Sequence, residues 1–560
     1  MWMAGVIPQQ LKDANIIHIY KRKGNRHQCD NHRGISLLSI AGKILARVLL
    51  NRLLKHLEQG HLPESQCGFR SKRGTVDMVF AARQLQEKCQ EQHCDLYMTF
   101  VDLTKAFDTV SREGLWRIMK KFGCPDNFIT LVRQFHDGMM VKVMDDGDES
   151  KEFPVTNGVK QGCVLAPTLF SMVFSAMLTD AFQHSKDGIR LKYRTDGGLF
   201  NLRRLQAVTK VTETVICDLL FADDCALNAG TEAMMQHEVD CFSKACDNFG
   251  LTISTKKTEV MYQPAPGKPY TEPHIVVKGQ KLQAVDKFTY LGSTLTREAN
   301  ADTEINNRVA KASAAFGRLR ENVWERRGLS INTKLKVYRA VVLTTLLYAS
   351  ETWTVYSRHA KQLNSFHMNC LRRILRVKWQ DKVADTEILE RTGLTTIHTL
   401  LQRNQIRWTG HVIRMENVRI PKQLLYGELS VGKRSVGGQR KRYKDCLKAS
   451  LKALNFDLKS WEWLAMDRVR WRSHTIAGAD TAEAERLDNA RRKRADRKER
   501  NSSTESNTTK ATSDQLNCPK CRRNFKARIG LIGHIRAHRE DLNTWRIWSS
   551  LKPKDEHHHM

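Results

Sequence analysis

The most informative hydrophobic pattern in the chain is an interrupted one. Ile216 to Leu227, reading ICDLLFADDCAL, is an apolar run broken by two adjacent aspartates, Asp223 and Asp224, and resumed at once. The pattern predicts a short buried strand, a turn at Asp-Asp and a returning strand. Leu96 to Val110 (LYMTFVDLTKAFDTV) predicts a buried strand over Tyr97–Val101 that delivers Asp102 to its end, with a helix from Lys105. Ile16–Tyr20 alternates as a strand and runs into a basic turn, KRKGNR (Lys21–Arg26). Ile40–Leu57 has helical spacing, with Ile44, Val48, Leu49 and Leu53 on one face. Asn157 to Met172 starts as a glycine turn and becomes an apolar helix. Glu232 to Asn248 reads as a helix, and Gly250–Tyr262 as turn, strand, basic turn, strand. Phe288–Leu295 reads as a hairpin bending at Gly292. From Asp302 onward strand signals fade, and helical spacing runs through Ile305–Trp324, Thr333–Ala349, His359–Val377, Ile388–Met415 and Arg442–Leu454. The chain is α+β, with its strands in the first 300 residues or so.

Some of these positions carry chemistry. Two carboxylates held at a tight turn raise each other's pKa unless a cation compensates. Such a pair suits Mg2+, which takes oxygen ligands and shares its shell with phosphates. Taken alone, the same residues also fit a solvated hairpin turn. Asp102, ionised at the end of a buried strand, needs a partner, whereas Asp108 can cap or pair locally. The glycine turn before Ala166 brings backbone N–H groups towards a ligand, although such loops are common. The basic turn Lys21–Arg26 and the basic glycine loop Gly432–Arg442 fit phosphate contacts and solvated loops equally. Trp461, Trp463 and Trp471, interleaved with Arg468, Arg470 and Arg472, fit either a stacking surface or a core.

Charge narrows the choice. Among 560 residues, 92 Lys and Arg outweigh 60 Asp and Glu, for a net charge of +32. An excess of that size points to a polyanion, nucleic acid first. A membrane partner is not expected, because no run of about 18 apolar residues occurs. The first ten residues lack the basic and apolar regions of a signal peptide. The 14 cysteines are mostly scattered, which suits a reducing intracellular setting. The stretch Arg486–Arg500 holds eight basic residues against three acidic, as an import signal, a nucleic-acid patch or a solvated helix; the polar Asn501–Gln515 reads as a linker.

Near the C-terminus the cysteines acquire a pattern. Cys518-x2-Cys521, twelve residues, then His534-x3-His538 is the ligand spacing of a ββα zinc module, and Phe525 and Leu531 stand where its small core is filled. One structural Zn2+ is expected there. The positions that usually read bases, Ala527, Gly530 and Gly533, carry no side chain able to do so, while Arg522, Arg523, Lys526, Arg528 and Arg536 can meet phosphate. Backbone, RNA or protein docking is therefore expected over reading of a DNA sequence.

Taken in order, FVDLTKAFD, NGVKQGCVLAPTLF, FADD, GLTISTKKT and FTYLG resemble motifs A to E of a reverse transcriptase, of the non-LTR (LINE-like) retrotransposon type. NHRGISLLSIAGKILARVLLNRL and ESQCGFRSKRGTVD resemble that family's upstream finger motifs, and QIRWTGHVIRM and GKRSVGGQRKRYKD its region after the polymerase. The resemblance covers Ile7 to Arg472, and a terminal C2H2 zinc finger occurs in some relatives. It implies a right-hand palm and fingers with a helical thumb, and RNA-directed DNA polymerase (nucleotidyltransferase) activity. It implies two Mg2+ ions (or Mn2+), held by Asp102, Asp223 and Asp224, and an RNA template, a DNA primer or target and dNTP as partners. Phe107 becomes the gate against a ribose 2′-hydroxyl, and Gln161 and Gly162 line the sugar and nascent base pair. Lys257 stands near the leaving phosphate, Arg22 and Arg33 grip the triphosphate, and Tyr290 to Gly292 form the primer grip. The family often has Pro at Gly34 and Lys160, Ser at Cys163 and Asn at Ser254.

The domains expected are fingers and palm over 1–298 (truncated at the N-terminus), a helical thumb over 299–355 and a basic helical extension over 356–478. A charged helix and linker over 479–516, the zinc finger over 517–540 and a tail over 541–560 follow. The chain is expected to start inside the fingers, without an N-terminal endonuclease, and shows neither an RNase H carboxylate set nor a C-terminal nuclease signature. The expected setting is the nucleus, with a cytoplasmic ribonucleoprotein phase. A catalytically silent, truncated nucleic-acid-binding relic is the alternative function.

Overall fold

The computed structural model describes residues 5–22, 24–60, 62–183, 187–207, 209–437, 440–508, 516–519, 521–525 and 528–537. Contacts divide the chain into two units, Met1–Glu485 and Arg486–Met560.

In the first unit, strands β1 (Ala14–Tyr20) and β2 (His32–Leu38) form an antiparallel ribbon over their full length. The helix Ile40–Leu57 follows, its first turn capped by the Ser39 hydroxyl, which accepts from the Gly42 N–H. It turns Ala46, Leu49, Leu50, Leu53 and Leu57 inward. Ile44 and Val48, expected on the same face as Leu49 and Leu53, stay 62 % and 46 % exposed. The helix is apolar on more than one side, so periodicity does not choose the face. Small residues do: a Cβ on Gly42 would lie 2.9 Å from the Leu11 carbonyl oxygen.

Helix Thr75–Glu91 is the spine of the unit. Met78, Ala81, Ala82, Leu85 and Cys89 pack against Leu96, Met98, Phe100, Leu219 and Ala226 in one core. Phe80 points the other way, edge-on to Trp408 and Tyr443 of the C-terminal helices. Strand β3 (Leu96–Val101) comes next and is buried at every position, Thr99 included, in keeping with its largely apolar sequence. Strand β4 (Met140–Asp145) returns to pair in parallel with β1.

The five-stranded sheet around β3 is completed by β5 (Asp218–Phe221), β6 (Asp224–Ala229), β7 (Glu259–Gln263) and β8 (Gln283–Ala284), in the order β8-β7-β3-β6-β5. Helices Ala166–Phe182 and Glu232–Phe249 pack together behind it, Phe174 edge-on to Phe242. Ile216, expected to open the strand before Asp-Asp, instead ends a separate strand, Thr212–Ile216. That strand pairs with Ile189–Tyr193, and Glu428–Leu429 adds to the other side of the latter. Of the two strands expected over Gly250–Tyr262, only the second is continuous; the first is a single bridge, Leu103 to Ile253. Strands β9 (Lys287–Tyr290) and β10 (Ser293–Thr296) form the expected hairpin, with Leu291 and Gly292 both left-handed at its bend.

Beyond Asp302 the first unit is almost wholly helical. The expected helix over Ile388–Met415 is two, Asp385–Thr392 and Ile397–Ile413, parted where Gly393 caps the first with φ +59°. Trp461 and Trp471 are core residues at 2 % exposure, so of the three tryptophans only Trp463, at 72 %, is open to stacking. In the second unit, strands Leu516–Asn517 and Asn524–Phe525 pair antiparallel and precede helix Arg528–Ala537. No helix among the described residues is long and apolar enough to cross a membrane.

Candidate functional site

Register brings the three aspartates together. The last ladder pair between β6 and β3 is Cys225 with Val101. One step further, Asp224 stands opposite Asp102, about one strand spacing (~4.8 Å) away. Asp223 occupies the turn itself, directly after Ala222, which is left-handed at φ +61°. The Asp102 backbone is fixed on the far side, its N–H donating to the Thr258 hydroxyl (3.2 Å) and its carbonyl accepting from the Ser254 N–H (2.8 Å).

The electrostatics follow from that crowding. Burial, then the charges of Asp223 and Asp102, push Asp224 up to about 6. Burial and Asp102 raise Asp223 as well, against its own backbone N–H and the guanidinium of Arg33. Both side chains still reach solvent. Among the described residues one cation touches the group: the Lys257 ammonium lies 3.0 Å from Asp102 Oδ2. Three oxygen-ligand carboxylates with a single exposed lysine among them fit a divalent cation better than they fit one another.

The other expected site residues fall at different distances from this centre. Arg33 is exposed on β2 and acts on Asp223. Arg22, left-handed at φ +55°, lies at the ribbon's turn. Phe107 is half-buried and stacks on Phe170, ring centroids 4.7 Å apart, so its ring direction is set by the core. The Gln161 carbonyl accepts from the Ser36 N–H (2.8 Å), which joins this loop to β2. Gly162 has φ +108°, and a Cβ there would lie 2.7 Å from the Ser36 carbonyl oxygen, so only glycine fits. Lys160 is buried beside the loop, and burial lowers it to about 8.

The β9–β10 hairpin is held by Tyr290 of its own motif and by residues that the sequence motifs do not single out. The Tyr290 hydroxyl donates to the Leu219 carbonyl (2.9 Å), tying the hairpin to the strand before Asp-Asp. The Tyr348 hydroxyl donates to the Leu291 carbonyl (2.8 Å), and Arg308 donates to that of Gly292. Glu304, fully buried, accepts from the Thr294 N–H (2.7 Å) and pairs with Arg308 (2.7 Å), while Arg83 reaches the Thr294 carbonyl (3.0 Å). A Glu and an Arg four apart on an apolar helix face are the one trace of this network in the sequence.

In the second unit, ligand atoms of Cys518, Cys521 and His534 all lie within 4.8 Å of one another, with Cys521 Sγ 2.9 Å from His534 Nε2. Leu531 is buried, and the Phe525 ring lies 4.8 Å from that of His534. His538, Lys526 and Ala527 lie outside the described residues.

Comparison with known proteins places the same segments in context. Residues 19–295 match the family described as reverse transcriptase (RNA-dependent DNA polymerase). The chain is similar to the RNA-directed DNA polymerase from mobile element jockey of Drosophila melanogaster, at 26% identity over 393 residues, covering 68% of this chain and 40% of that protein. It is similar at 23% identity over 416 residues to a probable RNA-directed DNA polymerase from transposon BS of the same species, covering 73% and 43%. The chain thus spans about two fifths of the length of these curated relatives. Among solved structures, the telomerase from Candida tropicalis in complex with a TWJ fragment of telomeric RNA aligns at 12% identity and a TM-score of 0.38, over 85% of this chain and 65% of that one.

Proposed function

We propose that this chain is an RNA-directed DNA polymerase of the non-LTR retrotransposon type, adding deoxynucleotides to a DNA primer along an RNA template; the match of residues 19–295 to the reverse transcriptase family and the likeness to mobile-element polymerases support the reading. The observation that carries the reading is the register that sets Asp224 opposite Asp102 with Asp223 at the adjoining turn. In the reaction the primer 3′-oxygen bonds to the α-phosphorus, the bond from that phosphorus to the oxygen bridging the β-phosphate breaks, and pyrophosphate leaves. The hydroxyl proton passes to water. Two divalent ions, Mg2+ or Mn2+, supply charge neutralisation and activate the hydroxyl when bound.

The chain's own groups do the positioning. Asp102, Asp223 and Asp224 offer hard oxygen ligands from two strand ends. Arg33, with Arg22, meets the triphosphate from the fingers ribbon. Lys257, now on Asp102, has the leaving phosphate as its alternative anionic partner, to which it can donate a proton. Phe107, braced by Phe170, blocks a 2′-hydroxyl, and Gln161 and Gly162 face the sugar. Cys518, Cys521, His534 and His538 hold one structural Zn2+, and the finger docks on a phosphate backbone. The division into fingers and palm, thumb, extension and finger, and a nuclear setting, complete the reading.

The test is Mg2+-dependent primer extension on an RNA template by the full chain. Asp223→Asn abolishes extension; extension that survives this change overturns the assignment, and salt-dependent RNA binding without extension by the unaltered chain supports the silent alternative. Phe107→Ala relaxes discrimination against ribonucleotides by roughly 10-fold or more.

A further inference from the structure

The turn that presents Asp223 and Asp224 is shaped at Ala222, and Ala222 is clamped by a side chain from far upstream. Gln66 is fully buried. Its Nε2 donates to the Ala222 carbonyl (3.2 Å), and its Oε1 accepts from the Ala222 N–H (3.0 Å). The same oxygen accepts from the Gly68 N–H (2.8 Å). One carboxamide thus satisfies the N–H and the C=O of a single left-handed residue, which β-ladder pairing leaves unserved. Ala222 immediately precedes Asp223, so its dihedrals set the direction in which both carboxylates leave β5.

The segment around Gln66 is built to stay against that turn. The Leu220 N–H donates to the Ser65 carbonyl (3.1 Å) and the Cys67 N–H to the Leu220 carbonyl (2.9 Å), so the segment lies along β5 like an added strand. A Cβ on Gly68 would come within 2.1 Å of the Ala222 nitrogen, so nothing larger than glycine fits. Arg70 donates to the Pro63 (2.7 Å) and Gln66 (3.1 Å) carbonyls, and Glu64 pairs with Arg73 (2.7 Å) and with Arg419 (3.3 Å).

We propose that Gln66 is a positioning residue of the polymerase site: by bridging the Ala222 N–H and C=O it holds the Asp223–Asp224 turn in the conformation that lets both carboxylates share divalent ions with Asp102. The inference rests on the polymerase reading above. It also requires that loss of the clamp disturb metal binding and rate, and leave nucleotide affinity alone. Gln66→Met keeps the volume and removes all three hydrogen bonds; Gln66→Glu keeps the accepting oxygen and loses the donor.

Two measurements on the full chain test it. The first is single-turnover primer extension across Mg2+ concentrations. Gln66→Met lowers the maximal rate by about 10- to 100-fold and raises the Mg2+ midpoint, with dNTP affinity unchanged, and Gln66→Glu falls between. The second is Mn2+ binding followed by electron paramagnetic resonance without nucleic acid, in which Gln66→Met binds more weakly than the unaltered chain. Unaltered rate, Mg2+ midpoint and Mn2+ affinity in Gln66→Met overturn the proposal. So does a rate loss that comes with unchanged metal affinity. Should Gln66→Met not fold, Gln66→Glu is judged by the same two readouts. If the unaltered chain binds Mn2+ but extends no primer, the polymerase reading fails, and the clamp is still decided by Mn2+ affinity.

Discussion

The seam between helix Thr75–Glu91 and residues 428–444 buries Lys88 and Lys444 against Glu428, whereas the Asp-Asp hairpin sets Asp223 and Asp224 beside Asp102 with the exposed Lys257 on Asp102 and Arg33 acting on Asp223. Lys444 lies 2.7 Å and Lys88 3.4 Å from the Glu428 carboxylate, and Gln92 donates to it as well (2.9 Å). Burial alone would raise Glu428; Lys88 and Lys444 overturn that and hold its carboxyl well below the usual range. At the hairpin burial is not answered, and Asp224 rises to about 6. The seam supplies its own counter-charges and is finished when folded. The hairpin keeps a charge deficit that an external cation removes, and this distinguishes a built site from a structural ion cluster.

Breaking each cluster should therefore do opposite things. Asp223→Asn is expected to lower extension by at least about three orders of magnitude, or ~4 kcal/mol in barrier, with no loss of thermal stability, measured by primer extension beside thermal denaturation. Glu428→Ala leaves two buried lysines unpaired and is expected to cost about 3–5 kcal/mol of stability, seen in denaturant unfolding. An Asp223→Asn chain that unfolds, or a Glu428→Ala chain as stable as the original, ends the distinction.

Acid sharpens it. Asp224 ionises less readily in the fold, so its ionised form weakens the folded state above the ordinary carboxylate range, in full above about 6, and protonation through that pH relieves it. The same protonation removes a metal ligand, so the Mg2+ concentration needed for half-maximal extension should rise steeply as pH falls from 8 through about 6. The Glu428 seam runs the other way: its stabilisation is present in full above about 4.5 and is lost progressively as pH falls from there towards the depressed value of the folded carboxyl. The smallest effect is on stability alone: without divalent ions, Asp224→Asn should raise the melting temperature slightly at pH 8, and Mg2+ should stabilise the original chain and not this variant.

How much of this is legible in the sequence depends on the range of each interaction. The strands that lead into Asp102 and away from Asp224 show as largely apolar runs, because a strand buried on both faces has little room for polar side chains. Which face of Ile40–Leu57 turns inward does not show, since Ile44 and Val48 are as apolar as Leu49 and Leu53, and the close approach at Gly42 decides. Ile216 reads as continuous with the strand before Asp-Asp because a change of strand within an apolar run leaves the hydropathy unchanged. The grip of Glu304, Arg308 and Tyr348 on the β9–β10 hairpin depends on backbone carbonyls, which no side-chain pattern records. The pairing of Glu428 with Lys88 is invisible for a further reason: nothing near either residue names its partner.

The short strand Glu428–Leu429, which closes the edge of Ile189–Tyr193, bears on how the protein is made. Synthesis runs from the N-terminus, and Gln92 waits for Glu428, a partner 336 residues later. Until that segment leaves the ribosome, a sheet edge is open and Lys88 lacks its counter-charge. The sheet of Ile189–Tyr193 therefore matures late, only once residues 428–429 have emerged, and a chain cut short before residue 428 leaves an adhesive edge exposed.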